Sequence, residues 1–372
     1  MIPMKSPYYC VILAGGQGSR FWPYSRKSCP KQFLDFNKSG ESLLQRTYNR
    51  FLQDFQPSHI FISTNEMYTD LVLEQLPGIS LSQVLPEPSM RNTACAIAYA
   101  TMHIHALNPK ATIVYAPSDH LVQKPTVFNE AIQKALAEAE RTGQMVTLGI
   151  RPTHPETGYG YIQVGGGIDE EKELPIPDRR FYPVKTFTEK PNKEMAKVLV
   201  ESGEFFWNSG LFFATAQCMI QAFEKYLPEV AERLCHAPDK YATPQERAYL
   251  QEQYPYCPNI SFDYGVMEKV QPVSMLLCDV GWADLGTWSA VYNLAEKDDN
   301  NNVTIGVKSA FNDATANMLV SDDPSLLVAV QGVNDVIVVK KGNVLMICRK
   351  GDEQKLKQLL LAASTIGDEY TN

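Results

Sequence analysis

Short β-rich runs alternate with stretches of helical periodicity through the first two-thirds of the chain, and few folds can absorb that pattern. Runs rich in Val, Ile, Leu and aromatic residues stand at 8–13, 59–63, 112–116, 145–150, 210–214 and 273–278. Between them, 42–54 repeats apolar residues at helical spacing (Leu43, Leu44, Thr47, Tyr48, Phe51, Leu52), and 93–107 and 128–141 also read as helices. Strands separated by helices of that length predict an α/β architecture, a mainly parallel sheet covered on both faces. Ligands in such sheets bind at the carboxyl ends of strands, so residues just after a strand carry the functional weight.

The pattern changes after EKDDNNN at 296–302, a polar, turn-rich stretch that reads as a boundary. With 372 residues to place, two domains are expected, 1–298 and 299–372. In the second, short strands at 303–307, 317–320, 326–330, 336–339 and 344–347 predict a small β-rich appendage. Asp352 is expected to cap a final helix with Leu356, Leu359, Leu360 and Ala363 on one face. This appendage is expected to serve assembly rather than chemistry. No fixed-length repeat or low-complexity tract interrupts the chain.

Composition excludes several function classes. A content of 44% hydrophobic and 20% charged residues belongs to a globular protein with a sizeable core. A net charge of −8 argues against nonspecific nucleic-acid binding and against anionic membrane surfaces. No apolar run approaches the roughly 18 residues that span a bilayer. Residues 1–16 lack the features of a signal peptide. The 8 cysteines are scattered without a C-x-x-C pair, which excludes a zinc ribbon or thioredoxin motif. A reducing, cytoplasmic setting with structural thiols is expected.

Charge is unevenly placed. Residues 1–34 contain no acidic side chain but carry Lys5, Arg20, Arg26, Lys27 and Lys31. The first strand runs into Ala14, Gly15, Gly16, Gln17, Gly18, Ser19 and Arg20, where backbone N–H groups can surround an anion. A dinucleotide fingerprint starting at Gly16 would need glycine where Phe21 stands, and a Walker A loop needs a Gly-Lys dipeptide that the chain lacks. Arg20 instead follows the glycines and Lys31 arrives a short loop later; a guanidinium fork and a point charge suit a polyphosphate. A solvated basic turn is the plainer alternative. There is no G-x-S-x-G elbow and no H-E-x-x-H. His103 and His105 are two apart in a helical run, so they do not share a face for a metal.

The run LAGGQGSRFWPYSRKSCPKQF (13–33) resembles the opening motif of the mannose-1-phosphate guanylyltransferases, in the sugar-1-phosphate nucleotidyltransferase family. PEPSMRNTA (86–94), PSDH (117–120), PETGYGYI (155–162), FTEKP (187–191), FWNSG (206–210), SFDYGVMEK (261–269) and WADLGTW (282–288) follow in that family's order. Departures are small: Cys95 stands where the family commonly has Pro, Phe21 where it has Leu, and Cys29 where it has an aromatic residue or His.

The resemblance implies a Rossmann-like, glycosyltransferase-A-like catalytic domain with a mixed, mainly parallel sheet. It also implies a C-terminal unit of left-handed β-helix type that helps form a homodimer. The implied activity is transfer of GMP from GTP to mannose 1-phosphate with Mg²⁺. Nucleotide contacts fall to Ala14, Gly15, Gly16, Gly18, Ser19, Glu87, Asn92, Thr93 and Asp119, and sugar-phosphate contacts to Gly158, Glu189, Lys190 and Asn208. Arg20, Lys31 and Lys190 are the implied catalytic cations, and Asp119 and Asp284 the metal ligands. Plainer readings stand beside some of these. Asn92 also suits a helix N-cap, Tyr159 and Tyr161 equally suit a core-facing strand, and His120 suits local turn hydrogen bonding.

Other readings compete. A relative acting on another manno-configured sugar 1-phosphate would look the same. An idle nucleotide-sugar sensor would be expected to lose Arg20, Lys31, Asp119 or Asp284, and all four are present. A fused phosphomannose isomerase of the metal-binding cupin type would need later histidines, yet the last is His236.

Overall fold

The computed structural model describes residues 7–36, 39–165 and 180–372. The chain separates into two compact units. The first holds the chain through Gly15, Thr47–Ser118 and Val122–Trp282; the second holds Gly16–Arg46, Asp119–Leu121 and Ala283–Asn372. This division differs from a single cut at 298, because the glycine-rich segment belongs with the C-terminal strands.

The strands, in chain order, are β1 (Tyr8–Leu13), β2 (Ile60–Asn65), β3 (Val84–Glu87), β4 (Thr112–Pro117), β5 (His120–Val122), β6 (Met145–Ile150), β7 (Tyr161–Val164), β8 (Phe181–Thr188), β9 (Phe205–Thr215), β10 (Val273–Leu277) and β11 (Trp282–Asp284). Nine of these form the sheet of the first unit, in the order β3-β2-β1-β4-β9-β6-β10-β8-β7. Pairings from β3 through β4 are parallel, as is β6 with β10. β9 runs antiparallel to both β4 and β6, and β8 is antiparallel to β7 and β10. The sheet is therefore mixed, with its parallel part where helices were expected between strands.

β2 and β6 are buried along their whole length and β1 in all but its end residues, which is why they read as unbroken apolar runs. The helix Asn92–Leu107 is buried from Ala94 to Ile104 and packs into the same core. The strand expected at 210–214 is the tail of the eleven-residue β9; its first half was hidden because Asn208 and Ser209 interrupt the apolar run.

The second unit adds β12 (Val303–Ile305), β13 (Lys308–Asn312), β14 (Met318–Ser321), β15 (Leu327–Gln331), β16 (Val336–Lys341) and β17 (Val344–Arg349). β12, β14 and β16 stack in parallel, and β13 pairs in parallel with β15, so successive coils lie over one another. β17 closes the stack as an antiparallel hairpin on β16. The core of this unit joins Phe21, Trp22, Phe36 and Trp288 with Met318, Ile337, Val339, Met346 and Leu356.

The polar, turn-rich stretch at 296–302 is an ordered turn: Asp298 Oδ1 accepts the N–H groups of Asn300 (2.9 Å) and Asn302 (2.7 Å), and Asn302 is buried. One expectation changes: Asp352 does not cap the last helix with its side chain. A 3₁₀ turn, Glu353–Lys355, intervenes before Leu356–Ser364, and the Asp352 carboxylate bonds Lys355 Nζ instead (2.9 Å). Leu356 is buried while Leu359 is exposed. No helix among the described residues is long and apolar enough to cross a membrane.

Candidate active site

In the second unit the glycine turn is fixed by the chain that follows it. Gly18 has φ of 63°, and a Cβ there would lie 2.3 Å from Lys31 Cβ, so only glycine lets the Lys31 backbone close on the turn. Ser25 Oγ donates to Gln17 O (2.5 Å), and Phe21 N donates to Gly18 O (2.9 Å). Phe21 meets Trp288 edge-on at 5.0 Å between ring centres, which anchors the turn in the core.

Lys31 is thereby held nearly buried. Its Nζ lies 2.7 Å from Asp119 Oδ2 and 3.7 Å from Asp284 Oδ1. Burial pushes the Asp119 carboxyl up, but the Lys31 ammonium, aided by His120 and backbone N–H, holds it below the usual carboxylate range. Arg20 Nη1 donates to Gly286 O at 3.5 Å, on the loop that carries Asp284. Gly18, Ser19, Arg20, Lys31, Asp119, Asp284, Gly286 and Lys357 line one cavity of about 220 Å³.

Two carboxylates that already converge on one cation have the chemistry of a cation site. One ligand atom each from Asp119, His120 and Asp284 lies within 4.8 Å of the others. The two carboxylates supply hard oxygens, and the imidazole could join them. His120, read from sequence as a turn residue, belongs to this cluster.

The first unit carries two further groups of side chains. After β1, Ala14 N donates to Ser63 O (2.7 Å), and a Cβ on Gly15 would approach Glu87 Oε1 to 3.3 Å. Glu87 is buried; Oε1 accepts from Ser63 Oγ (3.0 Å) and Oε2 from Tyr254 OH (2.6 Å). Burial raises its pKa to about 7, against the opposing pull of those two hydroxyls. Asn92 takes a left-handed φ of 65°, and its Oδ1 accepts the Thr93 N–H (2.9 Å) at the head of the helix. Thr93 Oγ1 accepts from Phe262 N (2.9 Å).

The second group gathers around β9. Asn208 Nδ2 donates to Asp263 Oδ1 (3.1 Å), while Asn208 Oδ1 accepts from Gly210 N (3.1 Å). Lys190 Nζ pairs with Glu189 Oε1, and burial of Lys190 is outweighed by Glu189, so the ammonium pKa is raised. Asp263 is pushed up to about 7 by burial and then by the Glu189 charge. A Cβ on Gly160 would fall 2.6 Å from Glu189 Oε2; one on Gly158 would meet only the Glu156 side chain, at 3.2 Å. Tyr161 is a buried strand residue whose hydroxyl donates to Glu156 O (2.9 Å), and Tyr159 packs edge-on against Trp207 and Trp282.

The structure thus brings Lys31, Asp119 and Asp284 together in one cluster, and Glu189, Lys190 and Asn208 in another. It adds His120, Gly160, Tyr254 and Asp263. Asp263 lay inside a motif already marked, SFDYGVMEK, and a carboxylate there was the available signal. Nothing local to Tyr254 pointed to Glu87, 167 residues away.

A family model described as nucleotidyl transferase matches residues 9–301, and one described as MannoseP isomerase/GMP-like beta-helix domain matches residues 312–361. A mannose-1-phosphate guanylyltransferase from Escherichia coli is 34% identical, over 96% of this chain and 76% of its own length. One from Salmonella montevideo is 36% identical, over 94% and 72% respectively. A crystal structure described as a mannose-1-phosphate geranyltransferase from Thermus thermophilus matches with TM-score 0.83 and 30% identity, covering 96% of this chain and 100% of that one.

Proposed function

The chain belongs to the nucleotidyl transferase family, among the mannose-1-phosphate guanylyltransferases, and we propose that it transfers GMP from GTP to α-D-mannose 1-phosphate, releasing pyrophosphate. The observation that carries this reading is the Lys31–Asp119–Asp284 cluster beside a glycine turn and Arg20, a site for an anion and a cation together.

An oxygen of the sugar phosphate attacks the α-phosphorus in line. A new P–O bond forms, the bond from the α-phosphorus to the bridging oxygen breaks, and its electron pair leaves with pyrophosphate. The nucleophile is already anionic, so no proton must be removed; alignment and charge neutralisation suffice. Arg20 and Lys31 serve the triphosphate, with Gly16, Gly18 and Ser19 offering backbone and hydroxyl contacts. Ala14, Gly15, Glu87, Asn92 and Thr93 serve the nucleoside. Gly158, Glu189, Asn208 and Lys190 hold the sugar phosphate, with Lys190 facing its charge. Asp119 and Asp284 would hold a divalent cation, for which we propose Mg²⁺; its charge would screen the phosphates.

The protein acts as a homodimer in the cytoplasm on this reading. The eight cysteines form no disulfide among the described residues, which suits a reducing compartment. A matrix of nucleoside triphosphates against sugar 1-phosphates, read as released pyrophosphate, tests the reading. GTP with mannose 1-phosphate should turn over fastest, and a faster manno-configured competitor or another nucleotide would replace it.

A further inference from the structure

Lys357, from the C-terminal helix Leu356–Ser364, lines the same cavity as Arg20, Lys31, Asp119 and Asp284. It lies outside every motif that marks the site in the sequence. The helix that carries it is fixed to the glycine turn. It packs on Ser19–Phe21, and Leu356 is buried in the shared core. Just before it, the buried Glu353 accepts the Ser289 N–H (2.8 Å), tying it to the chain that follows Asp284. Just after it, Tyr370 O accepts Trp22 Nε1 (2.9 Å).

The Lys357 side chain itself is exposed, with no ion pair or hydrogen bond among the described residues. The cavity's other lysine is engaged by Asp119 and Asp284. Lys357 can therefore meet an anion without first giving up a carboxylate.

We propose that Lys357 binds the β- and γ-phosphates of the nucleoside triphosphate and stays with them as they depart as pyrophosphate. The assignment rests on the nucleotidyl-transfer reading above. When the α–β bond breaks, the electron pair passes to the leaving group, whose charge grows where a mobile ammonium can follow it. A compact cation on a flexible stem, set on a rigid helix, suits that task better than a fixed fork.

The test compares Lys357→Ala and Lys357→Arg with Lys355→Ala, an exposed neighbour paired with Asp352. Equal melting temperatures establish that all three fold. Calorimetry with inorganic pyrophosphate and Mg²⁺, without nucleotide or sugar, should show binding about tenfold weaker in Lys357→Ala, the scale of one charge-assisted hydrogen bond. Lys357→Arg should recover most of it and Lys355→Ala should match wild type. In the reverse reaction, KM for pyrophosphate should rise similarly while KM for GDP-mannose stays put. Pyrophosphate binding unchanged in Lys357→Ala, or equally weakened in Lys355→Ala, overturns the assignment. A wild-type protein that binds pyrophosphate through Lys357 but turns over no substrate pair would overturn the nucleotidyl-transfer reading alone.

Discussion

Lys31, Glu87 and Asn208 are buried polar residues with different partners, and each makes a separable prediction. Lys31 balances two aspartates, so its loss leaves two carboxylates facing each other and, in the proposed site, a phosphate charge uncompensated. Lys31→Ala and Asp284→Asn should each lower kcat by roughly two to four orders of magnitude with a near-normal melting temperature. Wild-type turnover in either would return the cluster to a structural role. Glu87 and Asp263 both carry pKa values raised to about 7, from 4.5 and 3.8. A raised carboxyl binds its proton more tightly folded than unfolded. Its contribution is therefore fully present below the unfolded pKa and lost as pH rises towards 7. The drop in unfolding free energy between about pH 5 and about pH 7.5 should shrink in Glu87→Gln and further in Glu87→Gln/Asp263→Asn. Denaturant titrations giving the same drop in all three proteins would contradict this. Asn208 donates to Asp263, so Asn208→Ala strips a donor from the proposed sugar-phosphate site. Its KM for mannose 1-phosphate should rise and discrimination against epimers should fall by about tenfold or more, with GTP binding by calorimetry little changed.

Elements explain what the sequence revealed and what it hid. β1, β2, β4 and β6 were legible because strands buried on both faces must be apolar throughout. β7 and β8 were not, since in β8 only Val184 and Phe187 are buried and no unbroken apolar run results. The glycine turn, Arg20 and Lys31 were legible from local spacing, and their link to the end of the chain was not. Arg26 Nη1 donates to Glu369 O (3.1 Å) and Nη2 to Lys341 O (3.2 Å), more than 300 residues along. No periodicity encodes such a contact. Arg26→Ala should loosen the turn without touching the cavity that Arg20 and Lys31 line. Its KM for GTP should rise several-fold, with hydrogen exchange at residues 18–25 accelerated relative to wild type. Unchanged exchange there would show that the turn holds by its aromatic anchor alone.

At the scale of the molecule, the C-terminal strands support the glycine turn and, in the proposed homodimer, offer a face for assembly. Met318, Ile337 and Leu356 share a core with Phe21 and Trp288, so the coil supports the turn that carries Arg20. The same coil shows an apolar face to solvent: on β17, buried Val344 and Met346 alternate with Leu345 at 59% and Ile347 at 61% exposure. β17 ends the order β12-β14-β16-β17, an open edge of the kind that proteins cover. In the proposed homodimer, that exposed face belongs to the contact between subunits, whereas the buried face supports the turn of the proposed phosphate site. The two jobs can then be separated by choice of face. Leu345→Lys with Ile347→Lys should halve the mass in sedimentation while pyrophosphate affinity stays within about twofold, because neither side chain enters the core. Truncation after Asp298 should abolish pyrophosphate binding as well, since it removes Leu356 and the strands beneath Trp288. A truncated protein that still bound pyrophosphate would make the coil an assembly module only; a double-lysine variant of unchanged mass would move the dimer contact to another surface.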